Sequence, residues 1–305
     1  FSTAMLPSLL LSLIAKDGIE SAFATGLATT LFAGVMLWLP TRHLSRDLNI
    51  RDGFMVTALF WVVLGLFGAI PLWLAPDLAL TPVGAIFESI SGLTTTGATV
   101  ITGLDKLPQS LLFYRQLLQW LGGIGIIVLA VAILPMLGIG GMQLYRAESA
   151  GPSKDRKLTP RITSTAKALF GIYLLLTIAC AASYFAAGMS MFHAICHAFS
   201  TVAIGGFSTH DASLGHYEQN RVLLVSSVFM LLSAINFGLH FIALQRRNLR
   251  VYARDSETAF FITVIASATI VVCCLLLTTE TLNFEDSMIH GLFQTISIAT
   301  TTGFT

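Results

Sequence analysis

Thr94-Thr95-Thr96-Gly97-Ala98-Thr99, Ala203-Ile204-Gly205-Gly206-Phe207-Ser208 and Thr300-Thr301-Thr302-Gly303-Phe304-Thr305 are three near-copies of one short polar segment. Each sets a glycine among uncharged and hydroxyl side chains. That combination suits reversible coordination of a desolvated cation. Backbone carbonyls and Thr hydroxyls can replace hydration oxygens without a fixed negative charge that would hold the ion too tightly to release it. Glycine admits the unusual backbone that such a loop needs, and β-branched neighbours stiffen it. One Thr/Gly cluster is an ordinary loop signal. Three at equivalent places are much more specific.

The elements that must position these segments are short. Each segment closes an apolar stretch of about a dozen residues, about 18 Å at 1.5 Å per residue, against a hydrocarbon core of ~30 Å. The pattern is a half-spanning helix with a polar tip, preceded by a run long enough to span. The helix C-terminus is the negative end of its dipole, the right sign for a cation. Non-helical backbone at that depth is tolerated only where protein buries it or it lines water.

Composition agrees. The chain has 305 residues, 55% hydrophobic and 11% charged, with mean hydropathy +0.79; soluble domains carry about 25% charged residues. This predicts an all-α, multi-pass membrane protein. The basic residues sit in short loops rather than on one face, which argues against a nucleic-acid partner. Cys180, Cys196, Cys273 and Cys274 fall in apolar stretches without metal-site spacing and read as small buried hydrophobes.

Uncharged runs place spans near 21–39, 54–74, 116–145, 168–187, 222–245 and 258–279, with a short re-entrant helix from Met191. The loops 40–53, 146–167 and 245–257 hold thirteen of the 17 Lys and Arg residues. By the positive-inside rule these loops are cytoplasmic, so the N-terminus is cytoplasmic and all three polar segments open outward. The outward connections carry Asp77, Glu88, Asp105, Asp211, Glu218, Glu280, Glu285 and Asp286 against Lys106 and Arg221. That is either an acidic mouth that concentrates cations or ordinary loop solvation. The expected division is an extra helical pair at 1–40, then units at 54–145, 163–245 and 258–305. Repeats of this kind place an ion path on the axis they share. The first apolar run is too short to span and the last residue lies inside the third segment, so we expect a chain truncated at both ends.

The run from Phe87-Glu88-Ser89-Ile90-Ser91-Gly92-Leu93 through Thr99 resembles the first pore loop of the Trk/Ktr/HKT superfamily of K⁺ transporters, in particular bacterial Trk membrane subunits. So do Phe113-Tyr114-Arg115-Gln116, Gln119-Trp120-Leu121-Gly122-Gly123-Ile124-Gly125-Ile126 and Gly141-Met142-Gln143-Leu144-Tyr145-Arg146-Ala147-Glu148. The most specific is Ala203 through Ser208 continuing into Thr209-His210-Asp211-Ala212-Ser213. The resemblance implies four helix–pore helix–helix repeats around a pseudo-fourfold pore, with the fourth absent here. It implies K⁺ uptake across the bacterial inner membrane, with K⁺ as transported ion and no organic cofactor. The implied filter residues are Thr95, Thr96, Gly97 and Ala98, then Ile204, Gly205, Gly206 and Phe207, then Thr301, Thr302, Gly303 and Phe304. It further implies a homodimer in lipid, gated by a cytosolic nucleotide-binding (NAD/ATP) regulatory subunit that would dock on the basic loop 146–161. Glycine at all three filter positions favours K⁺ over Na⁺. Coupling to Na⁺ or H⁺ remains open beside a gated channel.

Other residues carry plainer alternatives. His193 and His197, four apart on one helical face, could share a metal, but packing or hydrogen bonding is the favoured reading. Glu88 is either an axial charge or an anchor for its helix. Arg115 is expected to snorkel to the outer interface or to pair with an acid. Gly122, Gly123 and Gly125 mark close helix packing rather than a hinge. Pro135, Gly138, Gly140 and Gly141 are expected to end that helix. A remote alternative is an intramembrane hydrolase using Ser208 and His210, for which a G-x-S-x-G elbow is lacking.

Overall fold

The computed structural model describes residues 1–42, 50–133 and 158–305, and these are helical, with no strand among them. After a 3₁₀ turn, α1 (Leu6–Ala15) and α2 (Glu20–Thr41) form the leading pair. Then come α3 (Ile50–Leu74), the short α4 (Pro82–Leu93) and α5 (Gln109–Ile133). The order repeats with α6 (Leu158–Ala186), the short α7 (Met191–Val202) and the pair α8 (Asn220–Ala234) and α9 (Phe237–Arg246). After α10 (Arg250–Arg254) it begins again with α11 (Ser256–Thr278) and the short α12 (Phe284–Ala299). Arg46, the 146–157 part of the basic loop, the 141–148 motif and the Pro135–Gly141 helix end lie outside the described residues.

Among the described residues, three helices are long and apolar enough to cross a membrane, over Glu20–Thr41, Ala166–Ala186 and Ser256–Thr278, and the bent pair α8 and α9 would make a fourth if it counts as one span. Their outer faces are apolar and exposed: Phe32, Trp38, Leu175, Ile178, Phe260 and Ile270 are each more than half open. A continuous apolar exterior is what a bilayer-facing surface requires.

The run 222–245, expected as one span, is instead broken, with α8 and α9 meeting at 92°. Ile235 is extended, and Asn236 caps α9 by accepting from the Gly238 amide at 2.9 Å. His240 turns back to the freed carbonyl of Leu232 at 2.8 Å, and its other ring nitrogen meets the Tyr252 hydroxyl at 2.8 Å. The bend survives because the orphaned backbone is re-satisfied. A hydropathy run cannot report such a break. The cysteines also divide: Cys180, Cys196 and Cys273 are buried as expected, but Cys274 is exposed, because α11 turns only one narrow face toward the protein.

The three short helices share one construction. Thr81, Ser190 and Asn283 cap them by accepting from the backbone amides of Gly84, His193 and Asp286. They have 12, 12 and 16 residues, and each leads directly into one of the polar segments.

Candidate functional site

Each short helix ends by unwinding into the left-handed region at the same place. Thr95, Ile204 and Thr301 have φ of +55°, +54° and +61°. In the first two loops the ending is the same hydrogen-bonded turn. Thr95 donates to Gly92 O and Thr96 to Ser91 O; Ile204 donates to Thr201 O and Gly205 to Ser200 O. Glycine usually fills such a position. A β-branched residue there is a backbone outlier costing about 1–2 kcal/mol, and it stands in all three loops. Two residues on, Gly97, Gly206 and Gly303 are left-handed again, at +76°, +79° and +79°.

The loops lie side by side. A Cβ on Gly97 would sit 2.1 Å from the carbonyl oxygen of Gly205, and one on Gly206 would sit 1.8 Å from that of Thr302. Gly205 and Thr302, the residues before Gly206 and Gly303, therefore present their carbonyls to the glycine of the preceding loop. The twelve sequence-derived positions thus fall into three matching quartets. Their side chains differ: Phe207 and Phe304 are buried, whereas Ala98 at the matching place is exposed.

The support behind the loops also differs between copies. Thr94 and Thr96 pair their hydroxyls at 2.7 Å, and Thr300 and Thr302 at 2.8 Å. The second loop has Ala203 and Gly205 at these places and lacks the pair. Gln119 of α5 fills the gap. Its Nε2 donates to Gly205 O at 2.7 Å, and its Oε1 accepts from Ser200 Oγ at 2.7 Å and from Phe207 N at 3.2 Å. A Cβ on Gly205 would meet the Gln119 amide at 2.4 to 2.7 Å.

Glu88 and Arg115 form a fully buried ion pair at 2.8 Å. Glu88 also accepts from Thr99 Oγ1 at 2.9 and 3.0 Å and from Val100 N at 3.0 Å. Arg115 reaches Ser208 O at 3.2 Å and lies 4.4 Å above the Phe207 ring. The pair therefore ties the outgoing strand of loop one to loop two. Glu88 is an anchor, not an axial charge or part of an outward acidic rim, and Arg115 pairs rather than snorkels. The role of Gln119 and the identity of the acid that pairs with Arg115 emerge only from the packing of α4, α5 and the second loop. The available signal was polar and charged residues at 115, 116 and 119 inside an apolar helix.

His193 and His197 hydrogen-bond rather than share an ion: His193 Nδ1 meets Thr209 Oγ1 at 2.8 Å, and His197 Nε2 meets Ser208 Oγ at 3.0 Å. The His210 ring does not address Ser208, whose hydroxyl instead accepts the His210 backbone amide at 3.1 Å. The serine–histidine arrangement supposed for a hydrolase is therefore not formed. Gly122 packs α5 against the end of α4, since a Cβ there would lie 1.9 Å from Leu93 O; at Gly123 it would meet the Tyr173 hydroxyl at 2.4 Å. This is close packing through small residues.

A model of the cation transport protein family TrkH matches residues 19–305. The chain belongs to the TrkH family. It is 54% identical over 304 residues to a Trk system potassium uptake protein TrkH of Halomonas elongata, covering 100% of this chain and 63% of that one. It is 51% identical over 309 residues to the TrkH of Escherichia coli K12, again covering 100% of this chain and 63% of that one. The crystal structure of the potassium transporter TrkH from Vibrio parahaemolyticus superposes with a TM-score of 0.92 at 48% identity, over 100% of this chain and 62% of that one. The chain thus spans under two thirds of the length of these TrkH relatives. The helical architecture is that of a TrkH membrane protein.

Proposed function

We propose that this chain forms three quarters of a K⁺-selective filter in a potassium uptake protein. The observation that carries this reading is the threefold alternation of left-handed residues at 95 and 97, 204 and 206, and 301 and 303. Alternating the backbone hand turns successive peptide planes so that their carbonyls line one side. Rows of carbonyls from adjacent loops make an oxygen cage for a dehydrated cation. The proposed ligands are the backbone oxygens of Thr95, Thr96, Gly97 and Ala98, Ile204, Gly205, Gly206 and Phe207, and Thr301, Thr302, Gly303 and Phe304. The α4, α7 and α12 dipoles point their negative ends toward this cage. The units 54–145, 163–245 and 258–305 would surround it, with 1–40 as an added pair.

The relatives named for potassium uptake support K⁺ as cargo. We place the protein in a bacterial inner membrane with its N-terminus cytoplasmic, on the Lys/Arg distribution. A homodimer and a cytosolic nucleotide-binding regulator belong to the same proposal. The test is flux in vesicles holding the full-length protein. K⁺ flux should exceed Na⁺ flux, and Gly206→Ser should narrow the difference. Unchanged selectivity in that variant overturns the filter assignment.

A further inference from the structure

The backbone that leaves the first two polar segments is built twice in the same way. Two positions after each left-handed glycine stands a hydroxyl, Thr99 after Gly97 and Ser208 after Gly206. Each hydroxyl accepts the backbone amide two residues further on: Ile101 N donates to Thr99 Oγ1 at 3.1 Å, and His210 N donates to Ser208 Oγ at 3.1 Å. Such hydroxyl turns are ordinary in loops. What is unusual is the second bond, which runs back to a buried side chain on the short helix. Thr99 donates to Glu88, nine residues before Gly97, and Ser208 meets His197, nine residues before Gly206. The amide closes the turn, and the helix side chain fixes where the turn sits.

The two copies use different chemistry at the shared place. Glu88 is an acid paired with Arg115 at 2.8 Å. His197 is fully buried and bonded at both ring nitrogens. Its Nδ1 meets His193 O at 2.9 Å; a carbonyl only accepts, so Nδ1 carries the proton. In the neutral ring Nε2 is then the acceptor, and the Ser208 hydroxyl donates to it at 3.0 Å. The Tyr217, Phe304 and Tyr184 rings stand around the imidazole, with centroids 5.7, 6.2 and 6.3 Å away. Ser208 is also held through its carbonyl, which accepts from Arg115 at 3.2 Å. The peptide that carries the Phe207 oxygen joins directly to Ser208, so holding Ser208 sets the plane of that peptide.

We propose that His197 is a positioning residue for ion selection: through the Ser208 hydroxyl it fixes the Phe207 carbonyl, as Glu88 through Thr99 fixes that of Ala98. This rests on the reading of the loops as a K⁺ filter. Carbonyl cages discriminate by their size or by the number of oxygens they present. A Phe207 peptide free to turn changes both and lets the loop close on the smaller Na⁺.

The test compares two side chains of matched length and shape. His197→Met fills the space without an amide, whereas His197→Gln returns a strong acceptor to Ser208; glutamine already stands at this offset in the third short helix, as Gln294, nine residues before Gly303. Full-length protein is reconstituted in vesicles, and K⁺ and Na⁺ fluxes are measured. In His197→Met the K⁺-to-Na⁺ ratio should fall by about two- to tenfold, the change that the net worth of one hydrogen bond carries. His197→Gln should recover most of that ratio. Ser208→Ala deletes the same bond from the loop side and should lower the ratio likewise; it decides the matter if size-exclusion chromatography shows that His197→Met does not fold. A wild-type ratio in folded His197→Met or in Ser208→Ala overturns the proposal. So does a His197→Gln protein as unselective as His197→Met, since space-filling alone would then account for the residue. If Gly206→Ser shifts the ratio while these variants do not, the filter stands and this inference falls; a wild-type protein without preference for K⁺ overturns both.

Discussion

Gln119 gives the sharpest test of how the second loop is held. Removing its side chain as Gln119→Ala strands two buried backbone groups, the Gly205 carbonyl and the Phe207 amide, and the Ser200 hydroxyl. A buried polar group left unpaired costs about 1–3 kcal/mol, so the two backbone groups alone predict a loss of about 2–6 kcal/mol. Gly205→Thr alone should also harm, because its Cβ would fall within 2.4 to 2.7 Å of the Gln119 amide. Gly205 has ordinary negative φ, so the threonine itself meets no backbone barrier there. The triple variant Ala203→Thr/Gly205→Thr/Gln119→Ala rebuilds the hydroxyl pair found in the other two loops and vacates the space it needs. It should recover part of both losses, with a favourable coupling of about 0.5–3 kcal/mol. Thermal unfolding of full-length protein in detergent measures the stability, and K⁺ against Na⁺ flux measures the loop geometry. If the triple variant is as damaged as the single losses added together, Gln119 is not standing in for the hydroxyl pair.

Two further perturbations follow from the same geometry. Arg115→Gln leaves the Glu88 carboxylate buried without its cation and should cost about 3–5 kcal/mol, read as a lower unfolding temperature; Glu88→Gln in the same chain should return part of it. Gly97 and Gly103 have nearly the same φ, +76° and +75°, but a Cβ at Gly103 meets open space while one at Gly97 meets the Gly205 carbonyl at 2.1 Å. Gly103→Ala should therefore cost only the left-handed strain of about 1–2 kcal/mol, whereas Gly97→Ala should displace a loop and lower flux as well.

Much of the fold was legible in the residues. The apolar stretches that close on Thr94, Ala203 and Thr300 mark half-length helices by their length alone, and α4, α7 and α12 stand there. The pairing of Arg115 with Glu88 was not legible, because the partners are 27 positions apart and meet only when α4 and α5 pack. The break at Ile235 and Asn236 was hidden for a different reason. Hydropathy over 222–245 is continuous, and the bend is held by the Asn236 cap and by the His240 ring on the Leu232 carbonyl eight residues back, neither of which a hydropathy run registers.

The sequence by itself determined the three polar segments, their glycines and the helices that end on them, because those follow from local composition and from lengths measured against a bilayer. Only the tertiary structure decided how the loops meet. That Gly205 faces Gly97, that Gln119 replaces a threonine pair, and that Arg115 joins Glu88 to the Ser208 carbonyl are contacts between distant parts of the chain. Side-chain packing sets them, and no local pattern encodes it.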